Sequence, residues 1–140
     1  MKEDIIKVGI ICFMEHDIMS EPILRYGEIK NDLETLQGIV GGDIEMPYLS
    51  QESVSNGICI VINESGKLLD LKPTMIILNK KTLEVVDTIM GSVIFASYTE
   101  EGDLCSLSDE QIEYINKNIG NNISLLFEEN GASLVFIHEI

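Results

Sequence analysis

The stretch "GICIVINESGKLLDLKPTMIIL", Gly57 to Leu78, decides the fold, because its Gly66-Lys67 pair belongs either to a phosphate cradle or to a chain reversal between two strands. A P-loop needs a glycine, four residues and then Gly-Lys-Ser/Thr, so that main-chain amides wrap the phosphates and a hydroxyl holds magnesium. Here the nearest earlier glycine is Gly57, and Leu68 follows Lys67. The motif fails at both ends. The sequence instead predicts a strand from Gly57 to Asn63, a turn through Glu64-Ser65-Gly66 and a hairpin return that begins at Lys67.

Outward from this segment, apolar runs of strand length rich in Ile and Val recur along the chain, bounded by Gly, Asn, Ser and Pro. Strands are expected at Ile5 to Met14, Ile23 to Ile29, Ile44 to Leu49, Gly57 to Asn63, Met75 to Leu78, Val85 to Ile89, Ser92 to Tyr98, Ile123 to Phe127 and Leu134 to His138. "GICIVI" and "SVIFA" are apolar on both faces and read as central strands. In "DIEMPYL" apolar and polar residues alternate around Pro47, which suits an edge. Asn130-Gly131 sits between two apolar runs and predicts a closing hairpin.

Two segments change to helical spacing. In "NDLETLQGIV", Asn31 is placed to cap with Glu34 three residues on, Leu33, Leu36 and Val40 share a face, and Gly41-Gly42 ends the run. In "SDEQIEYINKNIG", Ser108 and Gln111 form a capping box, Ile112, Ile115 and Ile119 form the stripe, and Gly120 is expected to terminate it in the left-handed conformation. The fold class is therefore α+β: a mixed, mostly antiparallel sheet, curling toward a barrel, with two short helices packed on it.

The chain has 140 residues, within the range of one domain, and nothing in its composition divides it. It carries 24 acidic and 9 basic side chains, a net charge of -15, with Arg25 as its one arginine. A duplex-binding face needs clustered bases, and an anionic bilayer repels such a chain, so neither nucleic acid nor membrane is an expected partner. No apolar run reaches the about 20 residues of a spanning helix. The N-terminus does not read as a signal peptide, and three widely spaced cysteines, two of them in apolar runs, fit a reducing cytoplasm.

Catalytic and metal patterns are sparse. Cys105, in the polar stretch "EGDLCSLS", is the candidate nucleophile for a small hydrolase, although neither His16 nor His138 is tied to it by sequence. "MEHD", Met14 to Asp17, offers metal-ligating atoms, but adjacent residues of a strand do not face one ion, so no metal and no cofactor are expected. Charge distribution is more informative. Lys67, Lys72, Lys80 and Lys81 are four of the nine bases, within 15 residues. With Asn63 they form the candidate site for a small anionic ligand. The segment Thr82 to Asn116 holds no base, and Glu100, Glu101, Asp103, Asp109, Glu110 and Glu113 form a candidate docking patch for a basic protein partner. Several edge-capable strands also lead to an expectation of self-association.

The succession "NDLETLQGIVGGDIEMPYL", "NESGKLLDLKPT", "DTIMGSVIFASY" and "SLSDEQIEYI" resembles an uncharacterised family, a domain of unknown function found in phages, plasmids, integrative elements and their bacterial hosts. The resemblance covers about residues 29–119 of a single domain, leaving extra N-terminal strands in 1–28 and a C-terminal hairpin in 120–140. Family members usually continue the turn with Pro-Asn, where this chain has Pro73-Thr74. The resemblance implies no assigned activity. It implies the setting of a mobile-element accessory protein, a counter-defence or regulatory factor that binds a host protein or sequesters a nucleotide-like ligand in the bacterial cytoplasm.

Overall fold

The computed structural model describes residues 3–13, 21–129 and 131–140. Two sheets face one another across an Ile-rich core. The larger runs β2 (Pro22–Lys30), β1 (Ile5–Phe13), β7 (Val93–Tyr98), β4 (Ile58–Asn63) and β3 (Ile44–Glu45), and the two-residue β8 (Leu104–Cys105) pairs with the end of β7. The smaller runs β6 (Val85–Met90), β5 (Pro73–Leu78), β10 (Gly131–Glu139) and β9 (Ile123–Glu128). All neighbours are antiparallel except β5 and β10, which run parallel. Both sheets end in open edges, so the expected curl does not close into a barrel among the described residues.

The period-2 pattern explains the layering. In β4, Ile58, Ile60 and Ile62 point to the smaller sheet and meet Met75, Ile77, Ile89 and Phe136, while Val61 points the other way. In β7 the same alternation sends Val93 and Phe95 inward, and Ile94 and Ala96 outward. The two runs apolar on both faces are thus interior strands, as expected. α1 (Leu33–Val40) covers the outer face of the larger sheet through Leu36 and Val40, packed with Ile6, Val8 and Ile94. α3 (Asp109–Ile115) closes the inner layer with Ile115, and the π-helical turn Asn116–Gly120 that follows it adds Ile119. Each such fully buried side chain contributes roughly 1.5–3 kcal/mol.

Local chemistry shifts several expected boundaries. The cap of α1 is Asp32, whose carboxylate accepts from Thr35 N at 2.7 Å. Asn31 is buried instead, donating from Nδ2 to the carbonyls of Glu3 and Leu104. Gly41 ends α1 at φ 84°, the left-handed conformation that glycine adopts without strain. Ser108 and Gln111 do form the capping box of α3. Its end differs: Gly120 is the last residue of the π turn and Asn121 caps it, so glycine there is not a left-handed terminator. The edge strand expected over Ile44 to Leu49 shrinks to Ile44–Glu45, and a third helix, α2 (Gln51–Ser55), follows.

The Gly66-Lys67 segment does not turn a hairpin. β4 and β5 lie in different sheets, and residues 64–70 form a broad turn that carries the chain from one to the other. Gly66 is required there by contact, since a Cβ on it would lie 2.7 Å from the carbonyl oxygen of Met90.

Candidate functional site

β5 and β10 end side by side, because they are parallel and their ends are tied together: Lys80 N donates to Ile140 O at 3.0 Å, and Ile140 N to Leu78 O at 2.8 Å. Above these carboxyl ends lies a cleft of about 590 Å³, within the range of small-molecule sites. Asn79, Lys80 and Ile140 form one wall, and the chain from Tyr48 through α2 forms the other with Ser50, Glu52 and Ser55. Ser50 fixes that second wall. Its side chain caps α2 by accepting from Ser53 N at 3.1 Å, after which Gln51, Glu52 and Ser55 turn toward the opening.

Beneath Ser50 is a buried polar cluster. Ser50 Oγ lies 2.9 Å from Ser53 Oγ and 3.3 Å from His138 Nε2, while Ser50, Ser53 and His138 are all nearly inaccessible. Nδ1 of His138 lies toward the Asn118 main chain without a hydrogen bond of good geometry, and the Tyr114 hydroxyl faces the two serines equally unpaired. Burial pushes His138 below its ordinary 6.5, against smaller opposing pulls from the Asn118 main chain and the Glu52 carboxylate, so the ring is neutral at physiological pH. Burial also raises Tyr114 above its usual range and keeps its phenol protonated.

The lysine window does not gather on one surface. Lys67 is paired with Asp87 at 2.6 Å and lines a smaller groove of about 150 Å³ together with Asn63. Asn63 is committed to the fold, donating from Nδ2 to Val40 O at 3.0 Å and accepting from Ser65 N at 2.8 Å. Lys72 stacks on Phe13, its Nζ 5.0 Å from the ring centroid, beside a third cleft. β5 sets about 20 Å between Lys72 and Lys80. Lys81 occupies the turn after β5, where its main-chain N donates to Asn79 Oδ1 at 2.9 Å. Of the five ligand candidates, Lys80 alone lines the larger cleft.

The acidic residues fall in two segments at one end of the larger sheet. Glu100, Glu101 and Asp103 occupy the turn between β7 and β8, closed by Thr99 N to Asp103 O at 2.8 Å. Asp109, Glu110 and Glu113 lie on α3, whose start is held at the end of β7 by Gln111 Nε2 donating to Ser97 Oγ at 3.0 Å. Cys105 pairs across from Ser97 on β8 and is half-buried, whereas His138 meets Ser50. Cys59, mainly through burial, is pushed up to about 11 and stays a thiol. Among the described residues no group of three His, Cys, Asp or Glu side chains is placed to hold a metal ion, and no helix is long and apolar enough to cross a membrane. "MEHD" lies outside the described residues.

None of Tyr48, Ser50, Glu52 and Asn79 stands out in the sequence as a site residue. The available signal was "SQES", a serine ahead of an acid-bearing first turn, which the strand reading up to Leu49 obscured.

Residues 15–120, about three quarters of the chain, match the family model described as Domain of unknown function (DUF3846). The match takes in β2 and stops short of β9 and β10. No curated protein and no solved structure matches the chain.

Proposed function

The chain belongs to the DUF3846 family, a domain of unknown function, and from that premise we propose that it is a stoichiometric binding protein that captures a small anionic, nucleotide-like ligand in the cleft at the ends of β5 and β10. One observation carries the reading: a cleft of about 590 Å³ lined by Lys80, Asn79 and Tyr48, with Glu52 as the one acidic side chain on the facing wall. In a molecule of net charge -15, an anion needs a local cation to be held at all. Lys80 supplies the charge. Tyr48, 69 % exposed, offers a face on which a planar base stacks, and Asn79 and Ser55 offer hydrogen bonds for orientation.

The neutral Ser50–His138 pair stiffens the cleft wall. The biological setting we assign is that of a phage or other mobile-element protein whose capture of a host signalling ligand blunts defence. That assignment rests on the resemblance of the "NESGKL" turn and the "SLSDEQ" helix start to mobile-element proteins. Docking of a host protein on the two acidic segments is a separate reading, tested by whether Glu100→Lys with Glu101→Lys weakens capture.

Calorimetry with a panel of nucleoside mono- and diphosphates tests the ligand reading. We expect Lys80→Ala and Tyr48→Ala each to weaken the best ligand at least about tenfold, equivalent to about 1.4 kcal/mol, and Lys67→Ala to leave it unchanged. Loss on Lys67→Ala with none on Lys80→Ala would move the site to the smaller groove and refute this one.

A further inference from the structure

The two walls of the Lys80 cleft differ in hydrogen-bonding sense. On the wall at the ends of β5 and β10, Lys80 brings an ammonium, which only donates. Asn79 beside it commits its Oδ1 to the main-chain N–H groups of Lys81 and Thr82, at 2.9 and 3.2 Å, so its Nδ2 amide is the part left to donate. On the facing wall the sense reverses. Ser55 Oγ donates its one proton to Gln51 O at 2.9 Å, which leaves the oxygen to accept. Glu52 brings a carboxylate, which when ionised only accepts. The Asn56 side chain bonds the main-chain oxygen of Glu52, and among the described residues no hydrogen bond or ion pair engages the carboxylate itself. Ser50 caps α2 and so fixes the point from which Glu52, two residues on, reaches the opening.

A carboxylate in the cleft repels an anionic ligand unless the far end of that ligand supplies donors. The phosphate then meets the donor wall, and the base meets the acceptor wall. Among the common bases guanine alone sets two donors side by side on one edge, N1–H and N2–H, in the parallel arrangement that two carboxylate oxygens accept. Adenine and cytosine place an accepting ring nitrogen beside the amino group, and uracil flanks its one N–H with two carbonyls. Each of these turns an acceptor toward Glu52, an arrangement that leaves both groups desolvated and unpaired.

We propose that the cleft selects guanine nucleotides and that Glu52 is the residue that determines the choice. The carboxylate accepts from N1–H and N2–H of the base, Lys80 and the Asn79 amide hold the phosphate, and Tyr48 stacks on the ring. This inference rests on the reading of the cleft as a site for a nucleotide-like anion.

Calorimetry with GMP, IMP and AMP on the intact protein tests it. Wild type is expected to bind GMP at least about tenfold more tightly than AMP, with IMP, which lacks the N2 amino group, between them. Glu52→Gln offers one donor and one acceptor, the pattern that adenine complements, so GMP should weaken while AMP tightens. A merely structural role for Glu52 would weaken both alike, and that result overturns the proposal. So does a wild type that binds AMP as tightly as GMP. Lys80→Ala separates the two readings, since it should weaken GMP and AMP by the same factor. Nucleotide binding that needs Lys80 but shows no preference for guanine refutes the role of Glu52 alone, whereas a wild type that binds none of the three refutes the nucleotide site and the guanine choice together.

Discussion

His138 is the residue whose chemistry the fold constrains most. The unfolded chain takes up a proton near the ring's ordinary 6.5, whereas burial holds the folded ring neutral to lower pH. The unfolded state therefore binds more protons over that interval, and stability falls as pH drops through about 6.5 until the folded-state value is reached. Melting curves between about pH 7 and pH 5.5 should show a steeper loss for wild type than for His138→Gln; parallel curves would mean that His138 does not sense acid. Two glycines make a second contrast. Gly66→Ala drives a Cβ against Met90 O and should destabilise by about 1–3 kcal/mol. Gly38, inside α1 with open space around it, should gain about 0.5–1 kcal/mol on change to alanine. Chemical denaturation of the two variants reads both signs. Identities at this scale were legible where the chain itself forms the contact, as at Ser108 with Gln111. They were not legible where a distant strand supplies it: Asn63 reads as a ligand group until Val40 O comes within 3.0 Å.

At the scale of elements, alternation gave the strands their faces, and the doubly apolar runs of β4 and β7 marked the middle of the larger sheet before any pairing was known. Pairing itself is a long-range choice. The turn 64–70 looks like a hairpin because turn chemistry is local, yet Ile58 to Ile62 and Met75 to Ile77 bury more apolar surface by facing each other across the core than by lying edge to edge. α2 is not legible in the sequence because five residues are too few to display a 3.6-residue period, and its start is set by Ser50 rather than by a stripe. The C-terminal hairpin carries a further consequence. β10 is interior to the smaller sheet and pairs with β5, although it lies beyond the family match. Removing residues 121–140 would strip Phe136 from Met75 and leave His138's partners open. Such a truncation is expected to lose cooperative unfolding in calorimetry, and a sharp transition near the wild-type temperature would show that the smaller sheet does not need β10.

The whole molecule is an anionic body in which cations are dispersed rather than gathered. Lys67 meets Asp87, Lys72 lies on Phe13, and Lys80 stands at the cleft. Clustering along the sequence points to one basic corner, but an intervening strand such as β5 separates in space lysines that are close along the chain. The cleft was not visible in the sequence, since its walls come from residues 48–55, 79–80 and 140, which meet only when the parallel pair forms. The central claim is that this cleft captures an anionic small molecule and returns it unaltered. Native mass spectrometry of the protein purified from its own cells, before and after mild heating, tests that claim most directly. The account predicts a retained small anion, released intact by heat and missing from Lys80→Ala; a chemically altered product, or a wild type as empty as Lys80→Ala, would contradict it.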